Sequence, residues 1–186
     1  LARYSLNYRT ILLGTFFITV VFDLTLAVEI GMALASLFFI YRMSDLTRID
    51  RVPLEDFYGV EALSHPDGTP RIVAYKLKGS LFFGAANKLE NLLLGLPGHP
   101  EVVVLDLDKV INIDTTGLDI LQTLHRNLQK RGAHLVLCGL NSQPGSIVFR
   151  SGFSDKLGDD NITANLTEAL IRAQRLGGRE PEIAYA

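Results

Sequence analysis

Asp114-Thr115-Thr116-Gly117 is where residue types and spacing in this sequence first imply chemistry. An apolar run ends in acidic residues just before it, and a helical pattern starts at once after it. A strand entering a helix through such a turn gathers backbone N–H groups and two hydroxyls at a helix N-terminus. That position favours phosphate or another anion by about 0.3–2 kcal/mol. The Asp114 carboxylate has the spacing to cap the helix, and Gly117 lets backbone approach closely in the first turn. Thr115 or Thr116 then presents a hydroxyl at the strand–helix corner. A phosphate there adds about −1.5 to −2 charge, favourable for the helix dipole but set beside Asp114 and Asp119. An ordinary capped helix start, with threonines for hydrogen bonding, fits the same residues.

Other chemistry is sparse. His65, His99, His125 and His134 are scattered and form neither HExxH nor HxxxH, which gives no case for a metal. Ser80, Ser142, Ser146 and Ser151 sit in no G-x-S-x-G elbow, and no Cys–His arrangement emerges from spacing. The glycines of residues 79–84 and 95–98 match neither the P-loop nor the dinucleotide fingerprint, so no cofactor is expected. Asp106 and Asp108 close a strand, where open α/β sheets often bind ligands, although a solvated strand end is the plainer reading. No acid, base and nucleophile converge, and the chain does not read as an enzyme. A formal net charge of −2 offers no basic face for nucleic acid. Cys138 is the single cysteine, so no internal disulfide can form, and its apolar run makes it a buried strand residue rather than a reactive thiol.

Two kinds of element must position these residues. Residues 10–41 are apolar almost throughout, broken mainly by Asp23, Thr25 and Glu29. One helix of that length would reach about 48 Å against a hydrocarbon core of about 30 Å, so two pieces meeting near Asp23 fit better. Residues 24–41 would reach about 27 Å, whereas 11–22 would reach about 18 Å. Arg3 and Arg9 precede the run, while Arg42, Arg48 and Arg51 follow it; basic residues at both ends favour a membrane hairpin with both flanks cytoplasmic. A signal peptide fits poorly, because the apolar stretch is too long and carries Asp23 and Glu29. A buried soluble helix pair and an ion-pathway role for Glu29 are weaker readings. Gly31 and Ala35 would let another helix approach closely. Opening on Leu1 rather than Met, the chain reads as a fragment.

Residues 43–70 read as an acidic, proline-bearing linker, with a short strand near 57–60. Residues 71–78 then read as a strand stopped by Gly79, and 85–94 as a helix on Leu89, Leu92 and Leu93. The near-continuous β-branched run 101–107 suits a strand covered on both faces. From Thr115 the stripe Leu118, Leu121, Leu124 and Leu128 makes a helix, with Gly132 as its stop signal. A strand over 133–138 and a short helix over 144–149 follow. A last helix covers 163–176, with Leu166, Leu170 and Ala173 inward and Glu168, Arg172 and Arg175 outward, and 177–186 is a frayed tail. Alternating strand and helix predicts an α/β sandwich with a small mixed, mostly parallel central sheet and flanking helices.

The order strand, Gly-Ser-Leu-Phe-Phe-Gly, helix, VVVLDLDKVINIDTTGLDIL, LVLCG and closing helix resembles the STAS domain (sulfate transporter and anti-sigma factor antagonist) over about residues 71–176. The upstream segment TFFITVVFDLTLAVEIGMALASLFFIYRMSDLTRI is similar to the last two membrane helices of SulP/SLC26 anion transporters. The resemblance implies a secondary transporter for sulfate, bicarbonate or a related anion in the cell membrane, with the STAS domain as a cytoplasmic regulatory or interaction module. It divides the chain into the end of a membrane domain (1–42), linker (43–70), STAS domain (71–176) and tail (177–186). The substrate site of that family lies in upstream helices, so no substrate-binding residue is carried over. The implied partners are the remainder of the membrane domain and lipid, with a second copy, a regulatory protein or a nucleotide as candidates at the STAS domain. In bacterial anti-sigma antagonists the residue after the Asp of Asp-Ser-Ser-Gly is phosphorylated; that position falls on Thr115, where threonine keeps the hydroxyl. A phospho-switch binding a partner protein is thus the alternative function.

Overall fold

The computed structural model describes residues 6–21, 24–44, 47–54, 64–82, 88, 91–92 and 95–178. They divide into two compact units, Leu1–Asp45 and Leu46–Ala186.

The first unit holds α1 (Leu6–Val21) and α2 (Leu24–Ser44), separated in sequence by Phe22 and Asp23. The helices touch, and a Cβ added to Gly31 would stand 3.2 Å from Oγ1 of Thr15. Phe16, Phe17, Leu37 and Phe39 are exposed, and among the described residues of this unit only Ala27 is buried. Such a pair has no apolar core of its own. Its hydroxyls bond back to the helix backbone: Thr19 donates to the Thr15 carbonyl (2.7 Å) and Ser36 to that of Met32 (2.8 Å). That pattern satisfies polar groups without water. With 16 residues α1 reaches about 24 Å, and with 21 residues α2 reaches about 32 Å. Among the described residues only α2, over Leu24–Arg42, is long and apolar enough to cross a membrane. The two expected helices exist, but α1 is short of a full span by itself.

The second unit is built on a five-stranded sheet: β1 (Arg48–Arg51), β2 (Ile72–Leu81), β3 (Val102–Ile113), β4 (His134–Cys138) and β5 (Ile162–Thr163), in that spatial order. β1 runs antiparallel to β2, and the remaining neighbours are parallel. Among the described residues four α-helices, each described from end to end, flank it: α3 (Thr115–Lys130), α4 (Ser142–Arg150), α5 (Phe153–Leu157) and α6 (Leu166–Leu176). Parallel neighbours need crossovers of one hand, which puts the connecting helices on a single face. There Leu118, Leu121, Leu124, Leu128, Val148 and Phe153 share a core with Val103, Leu105, Leu135 and Leu137. On the opposite face Ala169, Leu170 and Ala173 of α6 pack with Ala74, Val104, Val136 and Cys138. β3 is therefore covered on both faces, which is why it reads Val-Val-Val-Leu instead of alternating.

Several boundaries differ from the sequence expectation, each for a local reason. Residues 48–51, read as linker, form an edge strand because Asp50 and Lys78 pair across it (2.8 Å) and Leu77 sits opposite half-buried Ile49. β2 passes through Gly79, whose φ of +95° is absorbed in a bulge. β3 does not stop at its acidic residues but runs on to Ile113. α6 begins only at Leu166. Its cap Asn165 accepts from the Glu168 N–H (2.9 Å), and Glu168 accepts from the Ala164 N–H (3.2 Å), a reciprocal box that defines the start. Thr163 belongs to β5, and α5 was not anticipated. The expected strand near 57–60 and most of the expected helix at 85–94 lie outside the described residues, although Lys88, Asn91 and Leu92 are helical.

One buried group makes stability depend on pH. The His125 ring of α3 packs edge-on against Phe153 at 5.9 Å, and its Nδ1 has no hydrogen-bond partner among the described residues. Burial holds its pKa below the ordinary value; a hydrogen bond with the Lys156 backbone opposes the shift, and His134 adds to it. The unfolded chain therefore takes up this proton first as pH falls, and the folded state loses stability from about pH 6.5 downward. Chemical denaturation of the full chain in mild detergent should show stability falling as pH drops below about 6.5. The His125→Phe variant should show a flatter dependence below that pH.

Candidate functional site

β3 outruns its neighbour, so its far end must be held by groups outside the sheet. β4 stops at Cys138, paired with Asp106, while β3 continues beside β2 through two register shifts. Asp106 is buried at 3% exposure; its Oδ2 accepts from Lys76 Nζ at 2.8 Å and its Oδ1 from the Asp108 N–H at 3.0 Å. The carboxylate thus ties one shift in place, and its hydrogen bond raises the Lys76 pKa above the usual lysine range. Cys138 stands across the pair. Burial, reinforced by Asp106, pushes its thiol up to about 12, so it stays protonated and unreactive at neutral pH.

Beyond Cys138 the vacated edge of β3 is filled by side-chain amides. Asn141 Nδ2 donates to the carbonyls of Asp108 (2.8 Å) and Val110 (3.1 Å). Gln143 accepts from the Ile113 N–H and donates to the Ile113 carbonyl, both at 2.8 Å. Carboxamides can replace a missing strand because they carry the same donor and acceptor as the backbone. Sequence reasoning passed over both residues. Their signal was two carboxamides, two apart, directly after an apolar strand.

The held end delivers Asp114 into an extended conformation (φ −95°, ψ −178°) as the N-cap of α3. Its Oδ1 accepts from the Gly117 N–H at 2.7 Å, its own N–H donates to the Leu81 carbonyl at 3.2 Å, and its carbonyl accepts from Leu118 at 3.0 Å. A Cβ on Gly117 would run into the Leu81 carbonyl, so the close approach there requires glycine. Thr115 and Thr116 lie exposed in the first turn. Asp114 therefore does cap the helix, and it puts a protein carboxylate at the end where the sequence suggested an external anion. The exposed hydroxyls are the chemistry the turn offers. Asp106 lies inside the sheet rather than at a solvated strand end, and among the described residues no three His, Cys, Asp or Glu side chains form a metal set.

Two substitutions separate the cap from the close approach. Asp114→Ala should cost about 1 kcal/mol of unfolding free energy, the usual value of a lost N-cap. Gly117→Ala should cost about 1–3 kcal/mol, because the Leu81 backbone must move. Urea unfolding of the full chain in mild detergent, followed by circular dichroism, measures both.

Comparison with known proteins fits this architecture. The STAS domain model matches residues 65–169, more than half of the chain. YvdB of Bacillus subtilis, which carries a sulfate-transporter name, is 34% identical over 153 residues, covering 82% of this chain and 28% of that protein. The crystal structure of a sulfate transporter family protein from Wolinella succinogenes superposes with a TM-score of 0.55 at 30% identity, over 58% of this chain and 88% of that one. The murine anion transporter Slc26a9, in its inward-facing state, gives a TM-score of 0.68 over 93% of this chain and 29% of that one; at 16% identity this is a likeness of fold alone. The chain spans about a quarter of the length of the curated relatives it matches. From the mixed sheet, the capped turn after β3 and the match across more than half its length, the chain belongs to the STAS domain family.

Proposed function

We propose that the chain is the C-terminal part of a secondary anion transporter of the sulfate type, its helix pair closing the membrane domain and its STAS domain acting as a cytoplasmic regulatory or interaction module. The carrying observation is continuity: α2, with little amphipathic bias, is followed after only Asp45, Leu46 and Thr47 by the first strand of the sheet. A helix of that kind is stable where lipid or other helices cover it, which is the place of the rest of the membrane domain. Sulfate-transporter names among the relatives support the substrate class. In this reading transport belongs to the membrane domain and regulation to the sheet.

The chain fused at its C-terminus to a fluorescent protein should stay in the membrane fraction after alkaline carbonate washing and fluoresce on the cytoplasmic side. Recovery in the supernatant without detergent would sink the reading.

Exposed Thr115 favours one further element of this reading, a phosphorylation-controlled contact with a partner protein. A phosphate there adds charge next to the Asp114 carboxylate and changes what the turn can bind. Thr115→Glu should weaken that contact by about tenfold, against little change for Thr115→Val. Equal affinity for both variants, measured by calorimetry, would remove Thr115 from the mechanism.

A further inference from the structure

We propose that one exposed end of the sheet, built from Arg48, Lys78, Lys109 and Ile111, docks on anionic lipid headgroups. The register sets the first three side by side. Arg48 lies opposite Lys78 and Lys78 opposite Lys109, so three exposed cations from β1, β2 and β3 form one row across the strands. The row before it is Asp50, Lys76, Asp106 and Cys138, and the one before that carries Ala74, Val104 and Val136 beneath α6. The cations thus share the α6 face but lie past the part that α6 covers. Like charges directly opposite one another weaken a sheet, and no packing here requires them. Such a local conflict marks a surface with another use. β3 then bulges: Val110 pairs with Gly79 and Asn112 with Ser80, which leaves Ile111 as the extra residue between them. Val110 and Ile113 enter the core, whereas Ile111 is 67% exposed and Asn112 is exposed beside it.

A row of cations beside one outward isoleucine is the composition of a membrane-surface contact: the cations meet phosphate, and the apolar chain enters the acyl boundary. Lys78 Nζ bonds Asp50 at 2.8 Å and Lys109 Nζ bonds Asp108 at 2.9 Å, so three cations face two carboxylates. Both pairs are exposed, and exposed pairs contribute little, which leaves the two ammonium groups able to turn to headgroup phosphates. The choice of lipid over an acidic protein comes from the tether. It rests on the reading of α2 as a membrane helix. Arg48 is the fourth residue after Ser44, the last of α2, and four residues of extended chain span at most about 14 Å. That reach keeps the row close to the headgroups among which such a helix ends.

Cysteine labelling of the full chain in nanodiscs tests the docking, because native Cys138 is buried and leaves an introduced cysteine as the reactive one. Asn112→Cys reports on the proposed surface, and Phe149→Cys, on α4 and 55% exposed, is the control. A neutral polyethylene-glycol maleimide should modify Asn112→Cys about tenfold more slowly in discs containing phosphatidylglycerol than in discs of phosphatidylcholine alone. Phe149→Cys should react equally in both. Adding Lys78→Gln with Lys109→Gln, or Ile111→Asp, should restore fast labelling of Asn112→Cys. Fast labelling in both kinds of disc overturns the docking. So does equally slow labelling in both, which means a protein or an apolar contact covers the surface, and so does protection that survives the loss of both lysines. A chain that fails to co-elute with the discs removes the membrane reading of α2 and the docking with it. A co-eluting chain with fast labelling leaves that reading and removes the docking alone.

Discussion

The carbonyl of Leu81 is the contact on which the rest of the STAS unit turns. It ends β2, accepts the Asp114 N–H that ends β3, and occupies the space a side chain at residue 117 would need. A strand end and a helix start can share one carbonyl only if the helix brings no Cβ there, so the glycine follows from the geometry. That sharing fixes where α3 begins and therefore where Leu118, Leu121, Leu124 and Leu128 meet the sheet. It also fixes what Thr115 and Thr116 can do, because it leaves them exposed on the outer side of the first turn.

Getting β3 to that point is costly, since a long strand beyond its neighbour leaves polar backbone without partners. Asp106, Asn141 and Gln143 meet that need with side chains, and Lys76 balances the one buried charge. A buried carboxylate with a partly exposed lysine is weak as a source of stability but strict about geometry: removing either partner strands the other, whereas keeping both fixes the register. The far end of the sheet is thus specified by polar groups, whereas its middle is specified by packing alone.

That division explains which features were legible from sequence. The both-face burial of β3, the α3 stripe and the acidic cap at Asp114 all follow from periodicity or from a short-range capping rule, and each is visible in the structure. The bulges, the extension to Ile113 and the edge strand at 48–51 depend on partners about thirty residues away: Lys76 with Asp106, Gln143 with Ile113, Asp50 with Lys78. No local pattern encodes those meetings. The carboxylates of Asp106 and Asp108 looked like a strand end because acidic residues normally seek water, and only a lysine on the adjacent strand makes Asp106 a buried one. Likewise Gly79 looked like a stop because its freedom serves turns and bulges equally.

Two kinds of physics meet in one chain: an apolar helix whose large side chains are exposed, and a polar junction closed by hydrogen bonds at Leu81. The amide of Asp114 tests the joint most directly, by hydrogen exchange resolved with nuclear magnetic resonance. Because that N–H is donated to Leu81 inside a fixed junction, it should exchange only through global unfolding of the STAS unit, alongside the core amides of β3. An Asp114 amide exchanging at the rate of an exposed loop, with β3 still protected, would contradict a fixed junction at Leu81.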